Sequence, residues 1–239
     1  MRADLYLVKN EYFESRAKAA DALRRGEVLI NGKAVKASQE IKDGSAIEIL
    51  KADRFVSKGG IKLFNLLSAF NIDVRDMVCA DLGASTGGFT DCLLQCGAKY
   101  VYAVDVGENQ LSQKLKENER VKVLDKTNVR FLTKDSFEKK TDVLTVDLSF
   151  ISCKLLFCVF KDLLDSGGYL LLLIKPQFEA GKGKTGKGVI TKKEIREVIL
   201  KDIIGFAAQS GFKYQCHTEY GEDGKNIEYM TCFIKVKAE

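Results

Sequence analysis

The period of apolar positions changes along the first fifty residues. "RADLYLVKN" carries apolar residues at helical spacing, and "SRAKAADALRRGE" predicts a second helix with Ser15 as N-cap and Gly26 as C-cap. The period then becomes two, so "VLINGKAV" predicts a hairpin that turns at Asn31 and Gly32, and "IKDGSAIEIL" predicts another turn and strand. Residues 1–50 are therefore predicted to form a small α+β domain, the front module.

From Val78 onward, apolar strands alternate with helical stretches. The strand candidates are "VCADLG", "YVYAVDV", "VKVL", "DVLTVDLSF" and "YLLLLIKP", and this alternation predicts a mostly parallel sheet covered by helices on both faces. "FKYQCHTEY" and "IEYMTCFIKV" follow with no room for a helix between them, so they should pair antiparallel at the sheet edge. Residues 59–239 are predicted to form this α/β domain, the large domain. Residues 51–58 have no clear period and are predicted to be a linker.

Composition fits two such units. The chain has 239 residues, of which 46% are hydrophobic, and this suffices for one good core and a small second one. The formal net charge is +5, which is compatible with a polyanionic partner but does not prove one. Charge is concentrated between Lys175 and Lys193, where six lysines face one acid, Glu179.

Cysteine use and the N-terminus bear on location. The seven cysteines form no C-x-x-C pair and His217 is the only histidine, so neither a zinc site nor a disulfide framework is expected, and no metal is predicted. "MRADLYLVKNEYF" lacks the apolar core of a signal peptide. The longest aliphatic run is far shorter than the roughly 20 residues that span a bilayer. We therefore expect a cytoplasmic protein without membrane insertion.

The stretch "GKGKTGKG" that starts at Gly181 resembles a phosphate-binding loop with one residue wrong. Gly188 stands where Ser or Thr should hold magnesium, and the stretch runs on to a predicted helix cap at Thr191 instead of entering a helix directly. This argues against a nucleotide hydrolase. It favours a mobile basic loop, carrying Lys182, Lys184 and Lys187, that could close over a polyanion; a plain solvated loop is the alternative.

The first strand of the large domain ends in "DLGASTGGFTDCLL". Its glycines should open a helix near Phe89, and Asp105 ends the next strand roughly 20 residues on, where nucleotide-binding folds keep an acid for ribose hydroxyls. The spacing is not G-x-G-x-x-G and suits a ligand without a phosphate at the helix N-terminus. A tight turn without any ligand is the alternative.

The front module resembles the S4-like RNA-binding domain. The match runs through Arg2, Asp4, Ser15, Arg16, Ala19, Gly26, Asn31, Gly32, Ser38, Gly44 and Ile47. The resemblance implies RNA binding, with candidate phosphate contacts at Arg2, Arg16, Lys18, Arg24, Lys33 and Lys36. The alternative is that these side chains form the solvated face of a tiny domain.

Four motifs in order, "DLGASTGGFT", "DLSFIS", "KPQFEAGK" and "NIEYM", resemble the TlyA family. These proteins were historically called haemolysins and are read as S-adenosylmethionine-dependent 2′-O-ribose methyltransferases of ribosomal RNA with a cytidine target. The resemblance covers the full chain. It implies a Rossmann-like, FtsJ-like catalytic domain, S-adenosylmethionine as cofactor, and ribosomal RNA or ribosomal subunits as partner. We expect a monomer and no DNA partner.

The resemblance also assigns residues. A Lys-Asp-Lys-Glu tetrad maps onto Lys62, Asp147, Lys175 and Glu228. Our hypothesis is that Lys175 is the base or hydroxyl-orienting group, Lys62 the second cation, and the two acids the hydrogen-bonding frame; the sequence leaves open which lysine is neutral. The expected cofactor-binding residues are Asp81, Gly83, Ala84, Ser85, Thr86, Gly87, Gly88, Phe89, Asp105, Val106, Asn128 and Asp147. Three tetrad members also have a bland interpretation: Lys62 could extend to solvent, Asp147 could cap a helix starting near Ser149, and Glu228 could belong to a sheet-edge ion pair.

Two other functions compete with methyl transfer. A non-catalytic RNA-binding assembly factor would keep the front module and the basic loop but would need neither Asp105 nor the tetrad. A haemolytic pore would need an amphipathic or apolar segment, and the sequence offers none. His217 lies outside every motif and is predicted to be an ordinary strand residue.

Overall fold

A computed structural model describes residues 1–50, 54–180, 188–221 and 226–237. The front module contains helices α1 (Ala3–Lys9) and α2 (Arg16–Arg24) and strands β1 (Val28–Ile30), β2 (Lys33–Ala34) and β3 (Ile47–Ile49). The strands form an antiparallel sheet in the order β2-β1-β3. Its core joins both helices to β1 through Leu7, Leu23 and Val28.

Local signals in the front module are confirmed. The Ser15 side chain accepts a hydrogen bond from Lys18 N and caps α2. Asn31 and Gly32 turn the hairpin with φ of 52° and 74°, and this pair of left-handed residues is what a type I′ turn requires. The C-cap prediction is off by one residue: Arg25 is the C-cap of α2, and Gly26 follows it with φ of 68°.

The large domain begins with a helix that sequence patterning placed partly in the linker. α3 starts at Lys58, inside the predicted linker 51–58. The further helices are α4 (Gly88–Gln95), α5 (Gln113–Lys116), α6 (Phe157–Leu163), α7 (Pro176–Glu179) and α8 (Lys193–Gln209), and α3 itself spans Lys58–Phe70. Short 3₁₀ turns occupy Val129–Phe131, Lys134–Ser136 and Cys153–Leu156. The N-cap of α8 is Lys192, so the predicted cap at Thr191 is one residue early.

Seven strands form the sheet of the large domain. They are β4 (Val78–Leu82), β5 (Tyr100–Val104), β6 (Val121–Leu124), β7 (Thr141–Val146), β8 (Leu164–Ile174), β9 (Phe212–Tyr220) and β10 (Glu228–Lys235). Their order is β6-β5-β4-β7-β8-β10-β9. The first five are parallel, and β10 runs antiparallel to both β8 and β9. The predicted parallel sheet with an antiparallel edge is confirmed.

The strand order places a site. The chain starts at β4 in the middle of the sheet, adds β5 and β6 on one side, and returns to add β7 and β8 on the other. Open α/β sheets bind ligands outside the carboxyl ends of their strands at such a reversal. The loops after β4, β5, β7 and β8 therefore meet at one edge.

Both faces of the sheet are buried, as its continuous apolar strands predict. Leu171 and Leu173 join one core with α3 and α4, while Leu170 and Leu172 join the other with α6 and α8. Leu29 and Leu50 of the front module belong to the first core, together with Ile61 of α3. The two domains thus share apolar packing at α3. None of the described helices is both long and apolar enough to cross a bilayer.

Candidate active site

The turn after β4 is shaped by two glycines in the left-handed region. Gly83 has φ of 88°, and a Cβ there would lie 2.4 Å from the backbone oxygen of Asp147. Gly87 has φ of 98°, and a Cβ there would collide with Leu111 and Leu115. The helix after this turn, α4, begins at Gly88, as predicted near Phe89. The turn therefore packs directly on the end of β7, with no space for side chains at these positions.

Asp81 stabilises this turn from inside. Its side chain is buried and accepts hydrogen bonds from Thr90 N (2.9 Å), Thr90 Oγ1 (2.7 Å) and Thr145 Oγ1 (3.0 Å). Burial raises the pKa of Asp81 to about 7, although these hydrogen bonds oppose the shift. The carboxyl group ties the first turn of α4 to β4 and β7, and it also borders the cavity in front of the turn.

Asp105 connects the glycine turn with the loop after β5. Its Oδ2 accepts a hydrogen bond from Ser85 N at 2.8 Å, and its Oδ1 accepts one from Gly107 N at 2.7 Å. Each carboxylate oxygen keeps a further lone pair for a ligand hydroxyl. The position at a strand end, about 20 residues after the glycine turn, is the one expected for a ribose contact.

Two adjoining cavities lie along this edge of the sheet. The first, of about 280 Å³, we call the donor cavity; it is lined by Asp81, Gly83, Ala84, Ser85, Thr86, Gly88, Phe89 and Asp147 among the predicted residues. The second, of about 490 Å³, is lined by Asp105, Val106 and Asn128, and shares Gly83, Ser85 and Asp147 with the first. Of the twelve predicted cofactor positions, Gly87 lines neither cavity, because it packs against α5 and the segment before it.

The structure adds lining residues that sequence patterns missed. Ser57, Lys58 and Gly59, at the start of α3, border the donor cavity. They fall in or beside a segment with no apolar period, so only their proximity in the fold reveals them. Arg130 and Ser149 border the larger cavity.

The four tetrad residues form two ion pairs. Lys175 Nζ lies 2.5 Å from Asp147 Oδ1 and also donates to Ser149 Oγ at 3.0 Å. Lys62 Nζ lies 2.5 Å from Glu228 Oε2. Lys62 and Asp147, one from each pair, border the donor cavity, whereas Lys175 and Glu228 are joined to it through their partners.

The fold explains why these residues meet. Asp147 and Lys175 directly follow the parallel strands β7 and β8, so they leave the sheet at the same edge. Glu228 opens β10, which is antiparallel to β8, so its beginning lies beside the end of β8. Lys62 reaches this edge from α3. Glu228 does make a sheet-edge ion pair, as its bland interpretation held, and its partner is the tetrad lysine Lys62.

The bland interpretations of Lys62 and Asp147 do not hold. Lys62 is ion-paired and its side chain is only 25% exposed, so it does not extend freely to solvent. Asp147 caps no helix, because the next helical turn begins at Cys153.

A clamp holds the loop between Asp147 and Cys153. Glu179 accepts hydrogen bonds from Ser152 Oγ at 2.6 Å and from Cys153 N at 2.8 Å. Phe150, in the same loop, has φ of 64° and is 89% exposed, with its ring 5.0 Å from that of Phe178. A positive φ is strained in a bulky residue and persists only where the surrounding structure holds the loop in place.

Some of the predicted RNA contacts of the front module form ion pairs within the protein, and others are exposed. Arg2 and Arg16 both bind the buried Asp4 at 2.9 Å, and their hydrogen bonds lower the pKa of that carboxyl. Lys18 pairs with Glu14, and Arg24 pairs with Asp21. Lys33 and Lys36 are exposed. Lys182, Lys184 and Lys187 lie outside the described residues.

The fold and the glycine turn with its strand-end acids define the class: this is a Rossmann-like methyltransferase domain behind a small RNA-binding module. The FtsJ-like methyltransferase model matches residues 55–235, and the S4 domain model matches residues 1–47. A methyltransferase of this class implies S-adenosylmethionine as cofactor. The chain is an enzyme of the FtsJ-like family.

Comparison with individual relatives narrows the family of this chain further. It is 42% identical to "Hemolysin A" of Brachyspira hyodysenteriae, over 98% of this chain and 100% of the relative. It is 40% identical to the "16S/23S rRNA (cytidine-2'-O)-methyltransferase TlyA" of Mycobacterium tuberculosis, over 78% and 71%. A solved structure of a "putative hemolysin" from Streptococcus thermophilus superposes with a TM-score of 0.75 at 36% identity, over 100% and 89%. The chain belongs to the TlyA family.

Proposed function

We propose that this enzyme transfers the methyl group of S-adenosylmethionine to the 2′-oxygen of a cytidine ribose in ribosomal RNA. The observation that carries the proposal is the pair of tetrad ion pairs, Lys175 with Asp147 and Lys62 with Glu228, of which one member each borders the donor cavity. The activity named for the TlyA relative from Mycobacterium tuberculosis supports the ribose 2′-oxygen as acceptor and cytidine as the nucleoside.

The residues present fit the cofactor. Gly83 lies so close to Asp147 O that a side chain would collide, which leaves the turn's backbone open to a ligand. Asp105 would hold the ribose hydroxyls, Val106 and Asn128 would border the adenine, and the turn from Gly83 to Gly88 would hold the amino-acid end. Asp81 and Asp147 border the donor cavity together with Lys58 and Lys62, so the lining offers both acidic and basic side chains to a cofactor that carries an amino acid and a sulfonium. When bound, the sulfonium supplies an activated methyl group.

The chain's own residues would align the acceptor hydroxyl and manage its proton. Lys175 Nζ has two partners, Asp147 Oδ1 and Ser149 Oγ. In this ion pair Lys175 is an ammonium with three N–H donors and no lone pair, so it would orient the hydroxyl as a donor; it would accept the hydroxyl proton only after releasing a proton of its own. Lys62, held by Glu228, would be the second cation at the wall. The clamp from Glu179 would fix the loop that carries Ser149.

We further propose that residues 1–50 form the RNA-binding domain, 51–57 the linker and 58–239 the catalytic domain, since α3 starts at Lys58. Exposed Lys33 and Lys36 are the best placed phosphate contacts, since Arg2 and Arg16 are tied to Asp4. Lys18 and Arg24 would add to this basic surface, and Lys182, Lys184 and Lys187 stay predicted RNA contacts outside the described residues. The partners would be ribosomal subunits in the cytoplasm, and the enzyme would act as a monomer.

The test is methylation of isolated ribosomal subunits with tritiated S-adenosylmethionine, followed by nucleoside analysis of both RNAs. We expect label in cytidine with the wild type and none with Lys175→Ala. Calorimetry on the same preparation separates the competing function: a folded protein that shows no heat with S-adenosylmethionine would be a non-catalytic RNA-binding factor. Leakage of dye from liposomes at physiological salt would instead support a haemolysin.

A further inference from the structure

A third cavity lies between the two domains. It has a volume of about 190 Å³ and is lined by Arg25, Glu27, Lys58, Ile61, Lys62 and Tyr220. Pockets that enclose drug-sized molecules measure roughly 300–1,000 Å³, so this smaller interdomain cavity could enclose part of a nucleotide, such as its phosphate, and not a folded segment. The front module contributes two of the lining residues, Arg25 and Glu27, which form one wall of the cavity.

The interdomain cavity and the donor cavity meet at the first turn of α3. Lys58 and Lys62, one helical turn apart, border both. Lys62 is the tetrad lysine on the donor side. A group placed in the interdomain cavity would therefore sit next to the tetrad, on a different side of Lys62 from the methyl donor.

A buried contact fixes the front-module wall. Asn65 of α3 is fully buried and donates from Nδ2 to Gly26 O at 2.8 Å. Gly26 stands between Arg25 and Glu27, so this bond sets the position of both lining residues relative to α3. A Cβ at Gly26 would lie 1.5 Å from Asn65 Nδ2, and its φ of 68° also favours glycine. The front-module wall is thus held against the middle of α3, about one helical turn from Lys62.

The chemistry of the lining suits a phosphate group. Arg25, Lys58 and Lys62 line the cavity together with one carboxylate, Glu27. Lys62 is also paired with Glu228, and Arg25 also lies 3.6 Å from Asp21. Arg25 forms a two-pronged ion pair with Glu27, with both contacts at 2.9 Å. Tyr220 and Ile61 add apolar surface. Guanidinium and ammonium groups bind phosphate through charge-assisted hydrogen bonds.

We propose that the interdomain cavity is an acceptor-side subsite that binds a nucleotide of the RNA next to the reacting ribose, with Arg25 binding its phosphate. The inference rests on the proposed function. It makes the front module a wall of the catalytic centre as well as a docking domain. Glu27 would orient the guanidinium, and its negative charge would weaken the binding of phosphate.

The test compares three full-length variants in steady-state methylation of ribosomal RNA, with cofactor affinity measured by calorimetry. Arg25→Gln should raise the KM for RNA about tenfold or more, because a charge-assisted hydrogen bond to phosphate is lost, and should leave cofactor affinity within about twofold. Glu27→Gln should lower that KM, because a negative charge leaves the cavity. Lys9→Gln, an exposed front-module lysine away from the cavity, is the control for net charge and should match the wild type.

The outcomes are separable. If Arg25→Gln and Glu27→Gln raise the KM alike, the ion pair is structural and the subsite is wrong. If Arg25→Gln behaves as Lys9→Gln does, the cavity does not bind RNA. Equal thermal midpoints for the variants and the wild type exclude misfolding as the cause, and Arg25→Lys should recover part of the KM because it keeps the charge. Wild-type protein that methylates no ribosomal RNA would refute the proposed function instead.

Discussion

Lys62 Nζ and Glu228 Oε2 lie 2.5 Å apart and join residues 166 positions apart in the chain. The pair connects the helix that receives the front module with the antiparallel strand beside Lys175. Since residues that act as one unit show non-additive effects, we expect Lys62→Met and Glu228→Gln each to lower kcat about 100-fold or more. The double variant should be no slower than the slower single one. Losses in kcat that multiply would show that the two act separately.

Donor and acceptor roles should separate in a second pair of variants. Lys175→Ala should abolish methylation and leave cofactor affinity within about threefold, because Lys175 is joined to the site through Asp147 and Ser149 on the acceptor side. Asp105→Ala should weaken cofactor binding by about 1–3 kcal/mol through lost hydrogen bonds. Calorimetry and single-turnover rates measure the two effects. Equal loss of cofactor in both variants would refute this division.

The contact between Gly26 and Asn65 should contribute to the free energy of unfolding. Gly26→Ala places a side chain in a left-handed residue, which costs about 1–2 kcal/mol, and displaces Asn65 from a buried hydrogen bond at about 1–3 kcal/mol more. Gly32→Ala is the matched control, because its φ is 74° but nothing lies within 4 Å of the new Cβ. Urea unfolding should therefore show a clearly larger loss for Gly26→Ala. Equal losses would mean that the domain contact contributes nothing.

Asp81 predicts a particular pH dependence of stability. Its pKa is raised from 3.8 to about 7, so between these values the folded state binds a proton that the unfolded state has released. The contribution of Asp81 to the free energy of unfolding should therefore fall as pH rises from about 4 to about 7, by at most about 4 kcal/mol. Asp81→Asn should remove this slope. Urea titrations of both proteins across this range give the difference, and parallel curves would contradict the assignment.

Local patterns predicted most of the fold. The turn at Asn31 and Gly32, the N-cap at Ser15 and the alternation of strands depend on residues close in sequence, and these were correct. The tetrad was reached through family resemblance, and spacing alone would not have paired Lys62 with Glu228. Arg25 and Glu27 were not singled out because their place at the interdomain cavity depends on how the front module packs on α3. Lys58 was missed because the start of α3 was assigned to the linker.

The measurement that tests the central claim most directly asks which atom receives the methyl group. Ribosomal RNA labelled with tritiated S-adenosylmethionine by the wild-type enzyme is hydrolysed completely with alkali. Alkaline cleavage needs a free 2′-hydroxyl, so a 2′-O-methyl group leaves its label in a resistant dinucleotide, whereas a methylated base appears in a mononucleotide. The tetrad account predicts tritium in dinucleotides that begin with cytidine, and none with Lys175→Ala. Tritium recovered in mononucleotides would contradict it.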